Sequence, residues 1–156
     1  VGFSAGGHLA AAVGTEAETE SSSAIDPIDR ESARPNALIL CYPVISFGTY
    51  RHQGSVDSLL GENADPSLIE ALSAELRVSE TTPPTFLWHT ANDQGVKAEN
   101  SLLFAQALSK YQVPYELHIF SDGPHGVGLA KDRPYLAMWT ELCRNWFAEM
   151  GWISAD

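Results

Sequence analysis

The sequence predicts an α/β fold, a parallel sheet flanked by helices, on three observations. Short apolar runs of strand length recur at 37–42, 85–90 and 115–120, with helix-forming segments between them. That order implies parallel pairing through right-handed crossovers. The first two runs lack polar alternation, the pattern of strands covered by helices on both faces. At the amino end, Gly2-Phe3-Ser4-Ala5-Gly6 fits G-x-S-x-G, a pattern in which a strand turns sharply into a helix. A chain of 156 residues suits one core.

In that opening turn the apical serine takes a strained backbone conformation that exposes its hydroxyl, and a Cβ at Gly2 or Gly6 is expected to collide with neighbouring backbone. The run His8 to Val13 is a good helix former, with Gly14 as its expected stop. From Thr15 to Pro35 the composition changes to Glu, Ser, Asp and Pro, which reads as a solvated connection. The strand at 37–42 stops at Pro43, and Val44 to Gly54 reads as a loop at its carboxyl end. Asp65-Pro66-Ser67 supplies an N-cap and an N1 proline for a helix with Leu68, Ile69 and Leu72 inward, and Thr82-Pro83-Pro84 closes that region.

The strand at 85–90 leads into a turn-rich loop, Ala91 to Val96. An amphipathic helix of about three turns follows, with Ser101, Phe104, Ala105, Leu108 and Tyr111 on its inner face, until Val113-Pro114 breaks it. Tyr115 to Phe120 alternates more than the other strands and reads as an edge. It runs into Ser121-Asp122-Gly123-Pro124-His125-Gly126. The final helix carries Leu136, Trp139, Cys143, Trp146 and Met150 as a core stripe and stops at Gly151.

Acidic residues outnumber basic ones 20 to 9, for a net charge of -11, and the basic residues form no cluster. Such a surface repels nucleic acid and anionic membrane, so neither is an expected partner. No apolar run approaches a membrane span. The two cysteines, Cys41 and Cys143, sit in apolar surroundings and read as buried free thiols. No His, Cys or carboxylate cluster has zinc or calcium spacing, and no phosphate loop or dinucleotide fingerprint is present. The expectation is chemistry without metal or cofactor.

A serine hydroxyl is a poor nucleophile at neutral pH and needs a base. His125, after the last strand and between Pro124 and Gly126, is the best placed imidazole. Asp93, in the loop after the preceding strand, suits the carboxylate that holds its tautomer. The Ala5 N-H, at the start of a helix, suits an oxyanion. The chain order Ser4, Asp93, His125 is that of α/β-hydrolases. Other residues have simpler readings. His8 suits packing or hydrogen bonding beside the site, His89 and His118 suit structural roles within strands, and His52 suits a pocket wall or the surface. Asp122 is the alternative acid, but it also suits a turn cap before Gly123-Pro124.

Gly2 to Ala10, Arg34 to Ala37 leading into Leu40-Cys41-Tyr42-Pro43-Val44-Ile45, Pro83 to Asp93, Glu99-Asn100-Ser101 and Gly123-Pro124-His125-Gly126 together resemble bacterial α/β-hydrolase esterases related to acetylxylan and feruloyl esterases (BD-FAE-like). The resemblance covers nearly the whole chain, in order. It implies the α/β-hydrolase fold, with Ser4 as nucleophile, Asp93 as acid and His125 as base, and acetyl or other short acyl esters of plant-polysaccharide sugars as substrates. The family often has two consecutive acids and a Val-Pro in the acid loop, where this chain has Asn92-Asp93 and Val96-Lys97.

The expected function is therefore a serine ester hydrolase that works through an acyl-enzyme on a small-molecule or carbohydrate ester. Two alternatives stay open: a prolyl-oligopeptidase-type serine peptidase, and a non-catalytic half-domain that needs a partner chain. In the family the elbow follows several strands and a glycine-rich loop that gives a second oxyanion N-H. By resemblance, then, 1–156 is expected to be a partial catalytic domain, the carboxyl-terminal half of the fold, starting at the elbow with the amino-terminal strands missing. Without an elbow strand beside it, the strand at 37–42 would keep an open apolar edge. A bacterial cytoplasmic compartment is favoured over secretion, and the oligomeric state is not legible.

Overall fold

The computed structural model describes residues 1–16, 25–26 and 28–154. Its sheet has four parallel strands, β1 (Gly2–Phe3), β2 (Leu38–Cys41), β3 (Thr85–Thr90) and β4 (Tyr115–Phe120), and their spatial order is their chain order. Each step across the sheet is made by helix. α1 (Ala5–Thr15) links β1 to β2, α2 (Gln53–Leu60) and α3 (Pro66–Ala71) lie between β2 and β3, and α4 (Glu99–Lys110) links β3 to β4. α5 (Pro134–Ala137) and α6 (Trp139–Glu149) follow the last strand.

The pleat sorts the strand residues to two faces. Ile39, Cys41, Phe86 and Trp88 pack with Leu136, Trp139, Cys143 and Trp146 of α5 and α6. Leu38, Leu40 and Leu87 pack with Ala11 of α1 and with Phe104 and Leu108 of α4. Both faces of β2 and β3 are covered, which is why these strands show no polar alternation. Burying each leucine, isoleucine or phenylalanine among them contributes about 1.5–3 kcal/mol. A third cluster, Val44, Phe47, Val56 and Val96, lies under α2 and α3. The strands at 85–90 and 115–120 and the edge position of β4 match the sequence reading.

Several expectations are corrected. Gly2 and Phe3 pair with Leu40 and Cys41, so the carboxyl half of β2 has an elbow strand beside it. Gly14 does not stop α1, which runs to Thr15. It is instead a close-approach point, since a Cβ there would fall 2.5 Å from Leu38 Cδ1. Part of the presumed 44–54 loop and the residues after it form α2, whose cap is a histidine, His52, rather than one of the usual capping residues. α3 begins at the expected Asp65 cap, where Asp65 accepts from Ser67 N at 2.8 Å, but Leu68 faces outward at 48% exposure. Tyr111 lies past the end of α4 and is exposed, and the buried polar residue Asn100 joins the inner face. The final helix is two pieces that part at Met138. Of the connection expected over Thr15 to Pro35, residues 17–24 and 27 lie outside the described residues, and Ile28–Arg30 form a 3-10 turn.

Both cysteines are buried and free. Burial pushes the Cys41 thiol up to about 12, offset only in part by the Trp88 indole beside it, and the Cys143 thiol up to about 11, so neither supplies a thiolate nucleophile. Among the described residues no helix is long and apolar enough to cross a membrane.

Asn100 carries an unusual share of the architecture at the carboxyl edge. Fully buried, its Oδ1 accepts from Ile45 N and Ser46 N, both at 2.9 Å, and its Nδ2 donates to Tyr50 O and Lys97 O. One side chain thus ties the segment after β2 to the start of α4. Alanine at this position leaves buried N-H and C=O groups without partners, at about 1–3 kcal/mol for each left unsatisfied. Asn100→Ala is expected to lower stability by about 3 kcal/mol or more, read as a lower denaturant midpoint at unchanged slope.

Candidate active site

Ser4 sits between β1 and α1 with φ 54 and ψ -122, the left-handed region that a residue with a side chain rarely occupies. Three backbone bonds hold it there: Ser4 N donates to Cys41 O at 3.0 Å, and Ser4 O accepts from Gly7 N at 2.9 Å and Val44 N at 3.0 Å. Glycine is required at position 2, where a Cβ would lie 2.3 Å from Gly6 O. The expectation for Gly6 is corrected, because a Cβ there meets nothing within 4 Å. The second steric demand falls on Gly7, whose Cβ would come 2.5 Å from Pro43 Cβ.

The turn places Ser4 Oγ 2.7 Å from His125 Nε2, and His125 Nδ1 lies 2.7 Å from Asp93 Oδ2. A carboxylate only accepts, so Nδ1 carries the ring proton and Nε2 is free to accept from the serine hydroxyl. Asp93 is fixed on its other side as well, where Oδ1 accepts from Gly95 N at 2.8 Å and Val96 N at 3.0 Å. Its side chain is 1% exposed, against 24% for His125, so the hydrogen-bonded line runs from a buried carboxylate outward to the half-buried Ser4. All three groups emerge at the carboxyl ends of strands, where open parallel sheets form their sites. Asp122 takes no part in this line and accepts from Asn92 Nδ2.

Ala5 opens α1, so its N-H has no partner within the helix and belongs to the positive end of the helix dipole. Ala5 also borders a cavity of about 690 Å³, walled by Phe47, Leu59 and Leu72 with His8 and His52. His8 lies in this wall as a hydrogen-bonded packing residue. Its Nε2 donates to Leu72 O at 2.8 Å, and its ring stacks on Phe47 at 4.4 Å. His52 caps α2 and also faces the cavity, while His118 pairs with Glu116 on the edge strand.

His89 keeps the structural role expected of a histidine within a strand. Fully buried on β3, its Nε2 donates to Val96 O at 2.9 Å and lies 3.4 Å from Asp93 Oδ2, while Nδ1 accepts from the Ser101 hydroxyl at 2.8 Å. It therefore braces the loop that carries Asp93. Burial holds its pKa below the ordinary histidine value, against a smaller upward pull from the Val96 carbonyl and Asp93. Below about pH 6.5 the unfolded chain takes up a proton at this residue that the folded chain resists. Stability is therefore expected to be fullest above that pH and to fall as pH drops toward the lowered folded value. His89→Gln should flatten this part of the stability-pH curve, as thermal unfolding measured across pH would show.

Tyr42, Gly7 and Asn100 also shape the site, although the sequence reading gives them no role there. Tyr42 packs its ring against His125 at a centroid distance of 5.0 Å. Among the described residues no group of three or more His, Cys, Asp or Glu is arranged to hold a metal ion.

The BD-FAE family model matches residues 1–108. The chain belongs to the BD-FAE family. This BD-FAE chain is 39% identical over 132 residues to endo-1,4-beta-xylanase B of Butyrivibrio fibrisolvens, covering 85% of this chain and 21% of that protein. It is 31% identical over 151 residues to an acetylxylan esterase of Xylanibacter ruminicola, covering 94% of this chain and 29% of that one. Among solved structures, an acetyl ester-xyloside bifunctional hydrolase from Caldicellulosiruptor lactoaceticus superposes with a TM-score of 0.95 at 55% identity, covering 98% of this chain and 56% of that one. The chain thus spans less than a third of the curated relatives and just over half of the solved one. Its parallel sheet with helices on both faces is the α/β-hydrolase fold of an esterase family.

Proposed function

We propose that this BD-FAE chain carries the catalytic centre of a serine carboxylic-ester hydrolase that removes short acyl groups, acetyl foremost, from carbohydrates. The observation that carries this reading is the continuous hydrogen-bonded line from Ser4 Oγ through His125 to Asp93, with 2.7 Å at each link. Residues 1–156 act as part of that catalytic domain.

In this reading the Ser4 hydroxyl attacks the ester carbonyl carbon while its proton passes to His125 Nε2, and the carbonyl electrons move onto oxygen. The Ala5 N-H faces that oxyanion. Asp93 keeps the proton on Nδ1 and stabilises the imidazolium that forms. Collapse expels the sugar alcohol, which takes the proton from Nε2, and leaves acyl-Ser4. Water repeats the sequence, giving the carboxylic acid and free Ser4. General-base transfer of this kind contributes about 10²–10⁴-fold, and an oxyanion donor about 10²–10³-fold.

The names of the relatives support the acyl and sugar choice: an acetylxylan esterase, a xylanase and an acetyl ester-xyloside hydrolase. The test is acetate release from acetylated xylo-oligosaccharides, run beside a proline-containing peptide. Acetate release with the peptide intact is expected. Peptide cleavage without acetate release would favour the peptidase alternative instead.

A further inference from the structure

We propose that Tyr42 is a positioning residue for the active site, holding the His125 imidazole and the Ser4 turn in one fixed relation. The proposal rests on the reading of His125 as the base that activates Ser4.

Tyr42 has φ 38, an outlier conformation for a bulky residue, and such strain persists only where surrounding contacts over-determine it. Those contacts are present on both its backbone and its ring. Tyr42 N donates to Trp88 O at 2.7 Å. Its ring meets Trp88 edge to face at 5.0 Å, Phe3 of the elbow strand at 5.9 Å and His125 at 5.0 Å with an interplanar angle of 71°. It is 4% exposed.

The phenol hydroxyl reaches the other flank of the histidine loop. It accepts from Gly128 N at 2.8 Å, and Trp139 Nε1 donates to Gly128 O at 3.2 Å, so two aromatic side chains hold both polar groups of that glycine. The amino-terminal flank is held at Gly123, where N donates to Asn92 Oδ1 and O accepts from the Thr90 hydroxyl. Between these two anchors the backbone turns through Gly126 at φ 81 and arrives at Gly128 at φ 57. Glycine leaves such a segment free to move unless its ends are fixed. The residues beside Tyr42 hold the nucleophile, because Cys41 O accepts from Ser4 N and Val44 N donates to Ser4 O. One short segment therefore sets the backbone of Ser4 and, through Tyr42, the ring of His125. Misplacement of a reacting group by about 1 Å can cost 10²-fold in rate.

The test compares Tyr42→Phe, which keeps the ring and removes the hydroxyl, with Tyr42→Leu, which removes both. Three readouts are taken: kcat and KM on p-nitrophenyl acetate, the rate at which a fluorophosphonate labels Ser4, and the downfield proton resonance of the His125–Asp93 hydrogen bond. Tyr42→Phe is expected to lower kcat about tenfold with KM within about twofold, to slow labelling in parallel, and to broaden the downfield resonance. Tyr42→Leu should lose about a further tenfold. If Tyr42→Leu fails to fold, Tyr42→Phe carries the comparison alone. A Tyr42→Phe protein that loses only thermal stability, with kcat, labelling rate and resonance unchanged, would overturn the proposal. A wild-type protein that is not labelled at Ser4 would overturn the esterase reading, and this proposal with it.

Discussion

Ser4→Ala is expected to lower kcat for acetyl-ester hydrolysis by about 10⁶-fold, with KM and thermal stability nearly unchanged. The substitution removes one oxygen and leaves the turn intact. The backbone bonds from Cys41, Gly7 and Val44 that hold position 4 involve no side-chain atom, and alanine is strained by φ 54 no more than serine is. The Ala5 N-H and the cavity wall stay in place, so substrate still binds and its carbonyl is still polarised. Some activity above the uncatalysed rate is therefore expected to remain, on the order of 10³-fold. Steady-state kinetics beside a thermal melt separates this outcome from a folding defect.

The second large effect is expected from Asp93→Asn, about 10⁴-fold in kcat. The two oxygens of Asp93 accept from three donors, His125 Nδ1 on one side and the Gly95 and Val96 N-H groups on the other. An amide has one oxygen. If that oxygen keeps the two backbone donors, Nδ2 faces the imidazole and favours the tautomer with its proton on Nε2, which can no longer accept from Ser4. If the amide turns to serve His125, Nδ2 meets two N-H groups instead. The first orientation keeps its hydrogen bonds but inverts the tautomer, and the second loses bonds at a buried position. Activity should fall far more than folding, as kinetics combined with circular dichroism would show.

What the sequence reveals of this site follows from where each restraint is encoded. Ser4, Asp93 and His125 each stand just past a strand, next to glycine or in a turn, and their chain order carries a meaning of its own, so residue types and spacing suffice to nominate them. The residues that brace them are different. Tyr42 acts through Gly128, Asn100 through Ile45, Ser46 and Tyr50, and His89 through Ser101 and Val96. Most of those partners are distant in sequence, and a tyrosine after a strand or an asparagine at the start of a helix looks ordinary until the chain is folded. Gly6 and Gly7 show the same limit. Gly6 reads as the second glycine of the elbow, but it is Gly7 that faces Pro43, a residue that the fold brings from another strand's end.

The fold class was legible because β2 and β3 are apolar on both faces, a pattern that only double coverage explains. The helices were less so. α2 hides in a polar segment capped by a histidine, and the stripe Leu136, Trp139, Cys143 and Trp146 keeps helical spacing across the break at Met138, so periodicity alone sees one helix. Gly14 misleads in the opposite sense. It reads as a stop, yet it lies within α1 because the helix passes so close to Leu38 that no side chain fits.

Fluorophosphonate labelling followed by peptide mapping asks whether Ser4 is a nucleophile activated by His125. One adduct per chain is expected, on the peptide that contains Ser4, with labelling slowed by at least about 10³-fold in His125→Ala. An adduct on a different serine, or labelling of Ser4 at the same rate without the imidazole, would contradict it.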